Sequence, residues 1–229
     1  EIKEIPYYNY VEEAVPVNGE GIYVEEDIYV NYYYKKQKFN ITVDKVITGV
    51  TLNGKEEDVL NNKLVKVDVI DYQLESTNLE VSYLITVENT GEIEGTAVVE
   101  ERIPSYFEVA EGTAEEWGEA ADGRMRAEVS LQAGEKKELK VVLKWKRGSG
   151  NFGGQNNEVE IVETSNPANY TETDTEDDKA NAEMVISIKT GKEQVVGLII
   201  VADLMLMVVA IFAYECELYV KSRKNKKTK

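Results

Sequence analysis

The densest run of groups able to do chemistry is residues 171–179, TETDTEDDK, where Asp174, Glu176, Asp177 and Asp178 crowd carboxylate oxygens together. Ca²⁺ takes about 6–8 oxygen ligands, so such a loop is a weak Ca²⁺ candidate. The spacing is not that of an EF-hand and no Gly sits at its centre, which leaves a solvated acidic loop as the alternative. The rest of the chain supplies little else for catalysis. It contains no His and one Cys, Cys216. Cys/His zinc sites, Ser-His-Asp and Cys-His catalysis and an internal disulfide are therefore excluded. NFGGQ at 151–155 has no Lys-Ser/Thr behind it and is not a phosphate loop. No cofactor, no other metal site and no enzymatic activity are expected. Asn40-Ile41-Thr42 and Asn169-Tyr170-Thr171 are glycosylation sequons, relevant only in a eukaryotic cell.

Charge divides the chain. The formal net charge is −17 over 229 residues, a sign that repels phosphate backbones, so nucleic acid is not an expected partner. Residues 195–214, VVGLIIVADLMLMVVAIFAY, form a 20-residue run with no Lys or Arg and one acid, Asp203. As a helix this run would be about 30 Å long, the thickness of a bilayer's hydrocarbon core. Residues 221–229, KSRKNKKTK, follow with six bases, beginning Lys221, Arg223 and Lys224, and no acid. The remaining 194 residues hold 20 bases against 40 acids. Short basic flanks stay in the cytoplasm, so the expectation is a single-pass membrane protein with residues 1–194 outside. The lipid bilayer is then its first partner, with the tail held by anionic inner-leaflet lipids. Asp203 is either tolerated in a strongly apolar span or paired with a partner helix. Cys216 falls at the inner boundary, where acylation can occur. The chain opens on Glu1 with neither Met nor an apolar leader, so an export signal upstream is expected.

Before residue 195 the periodicity is that of strands. Alternation runs through FNITVDKVI (39–47), LVKVDVI (64–70) and LEVSYLITVEN (79–89), where Leu79, Val81, Tyr83, Ile85 and Val87 share a face. GTAVVEERIP, RMRAEVSLQAGE, KELKVVLKWKR, NEVEIVE and AEMVISIK continue it, while 148–156 and 165–181 read as long loops. The expected class is all-β, an Ig-like β-sandwich with one C-terminal transmembrane helix. Residues 28–34 also read as a strand, within a Tyr-rich stretch too short to hold its own core. The expected domains are 1–38, the end of a truncated β-rich repeat; 39–189, the sandwich; 190–194, a linker; 195–214, the helix; and 215–229, a cytoplasmic tail. The 14 Tyr against 4 Phe allow either an exposed binding face or half-buried sheet packing.

The ordered set VSYLITVENTG (81–91), Glu101-Arg102-Ile103-Pro104, Gln132-Ala133-Gly134-Glu135 and Asn156-Asn157-Glu158-Val159 resembles a prokaryotic surface repeat, the domain-of-unknown-function family eleven. Glu101 stands where that family more often has Asp, and Val159 where it has Ala. Residues 1–37 resemble the end of a MucBP-type (mucin-binding) repeat, and the C-terminus resembles those of Firmicutes surface proteins. No LPxTG signal is present, so the helix must hold the chain. The resemblance implies a non-catalytic, adhesin-like Gram-positive surface protein, with this sandwich as the membrane-proximal stalk. Upstream modules would meet a ligand on a host or neighbouring cell. The alternatives are a single-pass signalling or assembly subunit pairing through Asp203 and, less well supported, a eukaryotic type I protein with KKTK as a dilysine signal.

Related surface sandwiches often carry an intramolecular Lys–Asn isopeptide bond, and the resemblance therefore implies candidates: Lys45 as nucleophile, Asn157 as acceptor and Glu101 as the acid between them, with Lys66 as a spare. Burial makes the amine a neutral nucleophile and keeps the acid protonated, so that it can polarise the carboxamide and shuttle protons. The alternative is a solvated strand lysine, a turn asparagine and a surface acid.

Overall fold

The computed structural model describes residues 2–14, 16, 21, 27, 29–57, 59, 61–119, 121–147, 152–189, 204–207, 211–212 and 214. Its strands in chain order are β1 (Tyr8–Tyr10), β2 (Tyr34–Lys36), β3 (Ile41–Leu52), β4 (Lys55–Glu57), β5 (Leu64–Ile70), β6 (Leu79–Asn89), β7 (Gly95–Arg102), β8 (Phe107–Val109), β9 (Arg124–Leu131), β10 (Lys136–Trp145), β11 (Gly153–Ser165) and β12 (Lys179–Lys189). Two five-stranded sheets result, ordered β4-β3-β6-β10-β8 and β5-β12-β11-β7-β9, and β1 pairs with β2 apart from them. All pairings are antiparallel except β5 with β12. The chain is all-β with sandwich-like sheets, as the alternation predicted.

The alternation settles which side chains meet. Along β6 every second residue from Leu79 to Val87 is buried, and along β9 Met125, Ala127, Val129 and Leu131 are buried between exposed Arg, Glu and Ser. A strand exposes its two faces with period two, so each sheet turns one apolar face inward. The inward faces share one core, including Ile41, Val81, Ile85, Val99, Val159 and Met184. At β3 the register with β6 shifts between Ile47 and Gly49, and the inward parity passes from Ile47 to Val50 across the irregularity. Sandwich ends are closed by turns with specific chemistry. Asn89 accepts from the Gly91 backbone N–H at 2.9 Å and donates to the Ile93 carbonyl at 2.8 Å. A Cβ on Gly91 would stand 2.7 Å from the Asn40 nitrogen, so only Gly allows this close chain crossing.

Three sequence expectations need correction. The 148–156 loop is shorter than expected, because β11 begins at Gly153, opposite Ile186 of β12. The acidic loop likewise ends at Lys179, where β12 starts. The 28–34 strand is displaced: described residues 29–33 are not in a strand, and pairing begins at Tyr34, opposite Tyr10. Local β propensity there does not by itself make a strand.

Residues 2–38 touch the sandwich at one end. Glu92 accepts from the Asn9 side chain at 2.9 Å and from the Lys38 backbone at 2.8 Å. Tyr170 meets Tyr7 edge-on at 6.4 Å, and Lys36 Nζ sits 3.5 Å from the Tyr170 ring centroid. The 195–214 expectation falls mostly outside the described residues, as do Asp203, Cys216, Lys221, Arg223 and Lys224. Leu204–Met207, Ile211, Phe212 and Tyr214 are helical and exposed. Among the described residues no helix is long and apolar enough to cross a membrane.

Candidate functional site

Three strands from two sheets bring Lys45, Glu101 and Asn157 into the core. Lys45 shares the inward parity of Ile41, Val43 and Ile47 on β3. Glu101 shares that of Ala97 and Val99 on β7, and Asn157 that of Val159 and Ile161 on β11. β11 pairs Val159 with Glu101, which makes Asn157 and Glu101 diagonal neighbours on one inner face. All three residues are 0 % exposed. Lys66, the spare, lies exposed on β5 and takes no part.

Lys45 Nζ donates to both Glu101 carboxylate oxygens at 2.6 Å. Burial lowers the Lys45 pKa to about 8, against the opposing pull of the Glu101 charge. Burial also raises that of Glu101, against the opposing effect of Lys45. Both shifts point the same way, towards a neutral amine beside a neutral acid. Hydrogen bonding from the Asn157 carboxamide offsets part of the rise of both Glu101 and Tyr83, which sets it beside them. Yet neither its Oδ1 nor its Nδ2 has a hydrogen bond of normal geometry among the described residues. Desolvating an unpaired amide costs roughly 1–3 kcal/mol, and a buried ion pair rarely recovers its own desolvation. As a purely structural cluster the trio is poor design; as reactants it is well placed.

On the reverse face of β7, Glu100 is 1 % exposed beneath Arg126 at 2.7 Å and Arg124 at 3.2 Å. Arg102 bridges Glu158 and Glu160, which meets Lys179 at 2.7 Å, so a ladder of ion pairs crosses β9, β7, β11 and β12. Single exposed pairs contribute little, but this network shields Glu100 and covers the sheet behind Glu101.

The acidic strap behaves differently from a metal loop. Glu172 and Asp177 hold the strap against the start of β3. Glu172 accepts from the Ile41 backbone at 2.6 Å and from Thr164 at 3.1 Å, and Asp177 accepts from the Asn40 amide at 3.1 Å. Asp174 accepts from the Glu176 backbone at 2.9 Å. Among the described residues no group of three or more His, Cys, Asp or Glu is placed to hold a metal ion. The Ca²⁺ candidates Asp174, Glu176, Asp177 and Asp178 are therefore not assembled. Asn40, one of the sequon asparagines, is 8 % exposed and its amide is committed to Thr90 and Asp177, which leaves no room for a glycan.

Crowding in the strap has a consequence for stability. Burial first, then the charges of Glu172, Asp177, Asp174 and Glu160, raises the Asp178 pKa to about 6 from 3.8. Between these values the folded chain keeps a proton that the unfolded chain has lost. Stability from this group is therefore complete below pH 3.8 and falls as pH rises through about 6. Asp178→Asn is expected to raise the melting temperature at pH 7 and to flatten its decline between pH 5 and 7. Thermal melts at both pH values, wild type against variant, give the answer; an equal or steeper decline in the variant contradicts it.

The resemblance named Lys45, Glu101 and Asn157 as candidates, while Tyr83 entered only as one residue of the apolar face of 79–87. The available signal was a phenol in an otherwise aliphatic register, Leu79, Val81, Ile85 and Val87.

No protein-family model matches this chain, and no curated protein matches it. Among solved structures it is similar to the CARDB domain of the PF1109 protein from Pyrococcus furiosus, in complex with di-metal ions, at 15 % identity and a TM-score of 0.36 over 68 % of this chain and 99 % of that one. It is also similar to BcpA, the major pilin subunit of Bacillus cereus, at 14 % identity and a TM-score of 0.42 over 70 % of this chain and 50 % of that one. A third is CaCohA2 from Clostridium acetobutylicum, at 10 % identity and a TM-score of 0.34 over 66 % and 93 %. Likenesses this distant transfer no function.

Proposed function

We propose that this chain is a non-catalytic surface stalk whose sandwich crosslinks itself through an isopeptide bond between Lys45 and Asn157. Lys45 passes a proton to Glu101, and the neutral Nζ attacks Asn157 Cγ. The Nζ–Cγ bond forms, Glu101 delivers its proton to Nδ2, the Cγ–Nδ2 bond breaks and ammonia leaves, and the second Nζ proton passes to the Glu101 carboxylate, which ends protonated beside the new amide. The amine–acid and ammonium–carboxylate states of the pair hold the same number of protons, so burial can select the reactive one without any change of pH.

The observation that carries this reading is one fully buried lysine on a fully buried glutamate, beside a buried carboxamide with no hydrogen bond of normal geometry among the described residues. Crosslinking removes the buried charge and ties the orphan carboxamide into a bond. A stalk role accords with a core packed between two five-stranded sheets. The apolar run at 195–214 and the basic tail behind it support anchoring in a membrane, with the sandwich on the outer side. Binding of a cell-surface ligand would belong to other parts of the protein.

The intact mass of the purified chain tests the central claim. Loss of one ammonia leaves it about 17 Da below the sequence mass, and a tryptic digest then yields one branched peptide joining Lys45 to Asn157. The unmodified mass removes the crosslink and with it this reading of the core.

A further inference from the structure

Tyr83 lies at the middle of β6 and is 1 % exposed. β6 sets Tyr83 opposite Ile47 and Ile85 opposite Lys45, so Tyr83 and Lys45 are diagonal neighbours on the same inner face. Lys45 Nζ stands 4.9 Å from the centre of the Tyr83 ring. Hydrogen bonding with the Asn157 carboxamide opposes the rise that burial gives Tyr83, so the phenol lies beside that amide, whose oxygen and nitrogen have no hydrogen bond of normal geometry among the described residues. Packing alone accounts for a ring at this position but not for its hydroxyl, since a buried phenol normally requires a polar partner. The only polar groups that the trio offers are the reacting ones.

We propose that Tyr83 is the second hydrogen-bond donor of the crosslinking step: its hydroxyl holds Asn157 Oδ1 as charge develops there, and its ring seats the Lys45 amine. This rests on the Lys45–Asn157 bond proposed above. Attack of Nζ on Cγ pushes negative charge onto Oδ1, and Glu101 has to deliver its proton to the departing Nδ2. A donor that keeps its own proton leaves Glu101 free for that transfer. Tyr83 gains and loses nothing: Nζ–Cγ forms, Cγ–Nδ2 breaks and ammonia departs. Burial and the neighbouring Glu101 charge hold the phenol well above its ordinary titration range, so it remains a donor wherever the protein is folded.

The test is the rate of mass loss in the full chain made by cell-free translation, quenched in acid at intervals. Tyr83→Phe keeps the ring and removes the donor. The rate is expected to fall about 10²-fold, the scale of losing one oxyanion donor, with the same final mass and an unchanged melting temperature of the finished product. The pH–rate profile separates donation from packing. Wild type should show a plateau where the Lys45–Glu101 pair shares one proton, falling on the alkaline side near pH 8 as Lys45 titrates. Tyr83→Phe should lower the plateau without moving its limbs, whereas a loosened, wetter core would move both. 3,5-Difluorotyrosine at position 83, a stronger donor of nearly the same shape, should react faster than wild type. A slowing of less than about threefold, displaced limbs, or no gain from the fluorinated residue each overturns the proposal. If wild type reacts and Tyr83→Phe keeps pace, only the donor role fails. If wild type never loses ammonia, the crosslink itself fails.

Discussion

Asn157→Ala is expected to return the chain to its unmodified mass and to lower its melting temperature by about 10–20 °C. The size follows from loop closure. A bond from residue 45 to residue 157 ties off a loop of about 110 residues in the unfolded chain, and a covalent tie of that span is worth roughly 4–5 kcal/mol in the chain-entropy description. For a domain of this size each kcal/mol moves the midpoint by about 2–4 °C. The sign of the effect is the stronger diagnostic. An Asn157 that is not crosslinked is a buried carboxamide without partners. Replacing such a group with Ala would be close to neutral or stabilising, because the penalty of an unsatisfied amide disappears with it. A large destabilisation accompanied by recovery of the missing mass is therefore the signature of the bond. A stable variant with unchanged mass would dispose of it. Lys45→Ala is the less informative experiment, because it also strands Glu101 in the core and confounds loss of the bond with loss of the pair.

Pulled from its two ends in a single-molecule force experiment, the wild-type sandwich should withhold the segment between residues 46 and 156. Load entering β3 passes from Lys45 directly to β11, and the chain between the two residues never comes under tension. At about 3.3–3.6 Å per extended residue, the roughly 110 residues so protected amount to about 370–400 Å of contour length. Asn157→Ala should release that length when the domain unfolds, giving a correspondingly longer step at whatever force it yields. The observation that would contradict the mechanism is a wild-type step equal to that of the variant. The position of the tie explains why the effect is large. Lys45 stands near the beginning of β3, the first strand of the sandwich, and Asn157 lies on β11, the second last. Nearly the whole domain therefore hangs between them in sequence while the bond bridges them in space.

The strands were legible wherever one face was apolar. LEVSYLITVEN and RMRAEVSL alternate without interruption, and the structure makes them β6 and β9 with every second side chain buried. Short pieces were not legible. β4 has three residues, all exposed, and carries no periodic signal, although the Asn53-Gly54 turn before it, with both residues at positive φ, is a strong hairpin mark. β8 is equally short, and it exists only because β10 offers an edge to pair with. The Tyr-rich segment at 29–33 shows the converse, strand-like residues that are not in a strand.

For the site itself, the sequence alone supplied the residue types and the alternation of the strands that carry them, and the structure decided their parity. A strand alternates faces through local backbone geometry, so a Lys in step with Ile41, Val43 and Ile47, a Glu in step with Ala97 and Val99, and an Asn in step with Val159 and Ile161 are each directed inward by their near neighbours. Parity says nothing about which inward residues meet. Lys45 and Glu101 are 56 positions apart and lie in opposite sheets, and only the packing of β3 over β7 and β11 brings them to 2.6 Å. The same holds for Tyr83, whose place over Lys45 depends on the β3–β6 register and whose approach to Asn157 depends on the distance between the sheets. Strand order and register are long-range choices, decided by the total burial of two apolar faces rather than by any short window of residues. That is why the chain announced these buried groups one at a time, and only the folded sandwich put them together.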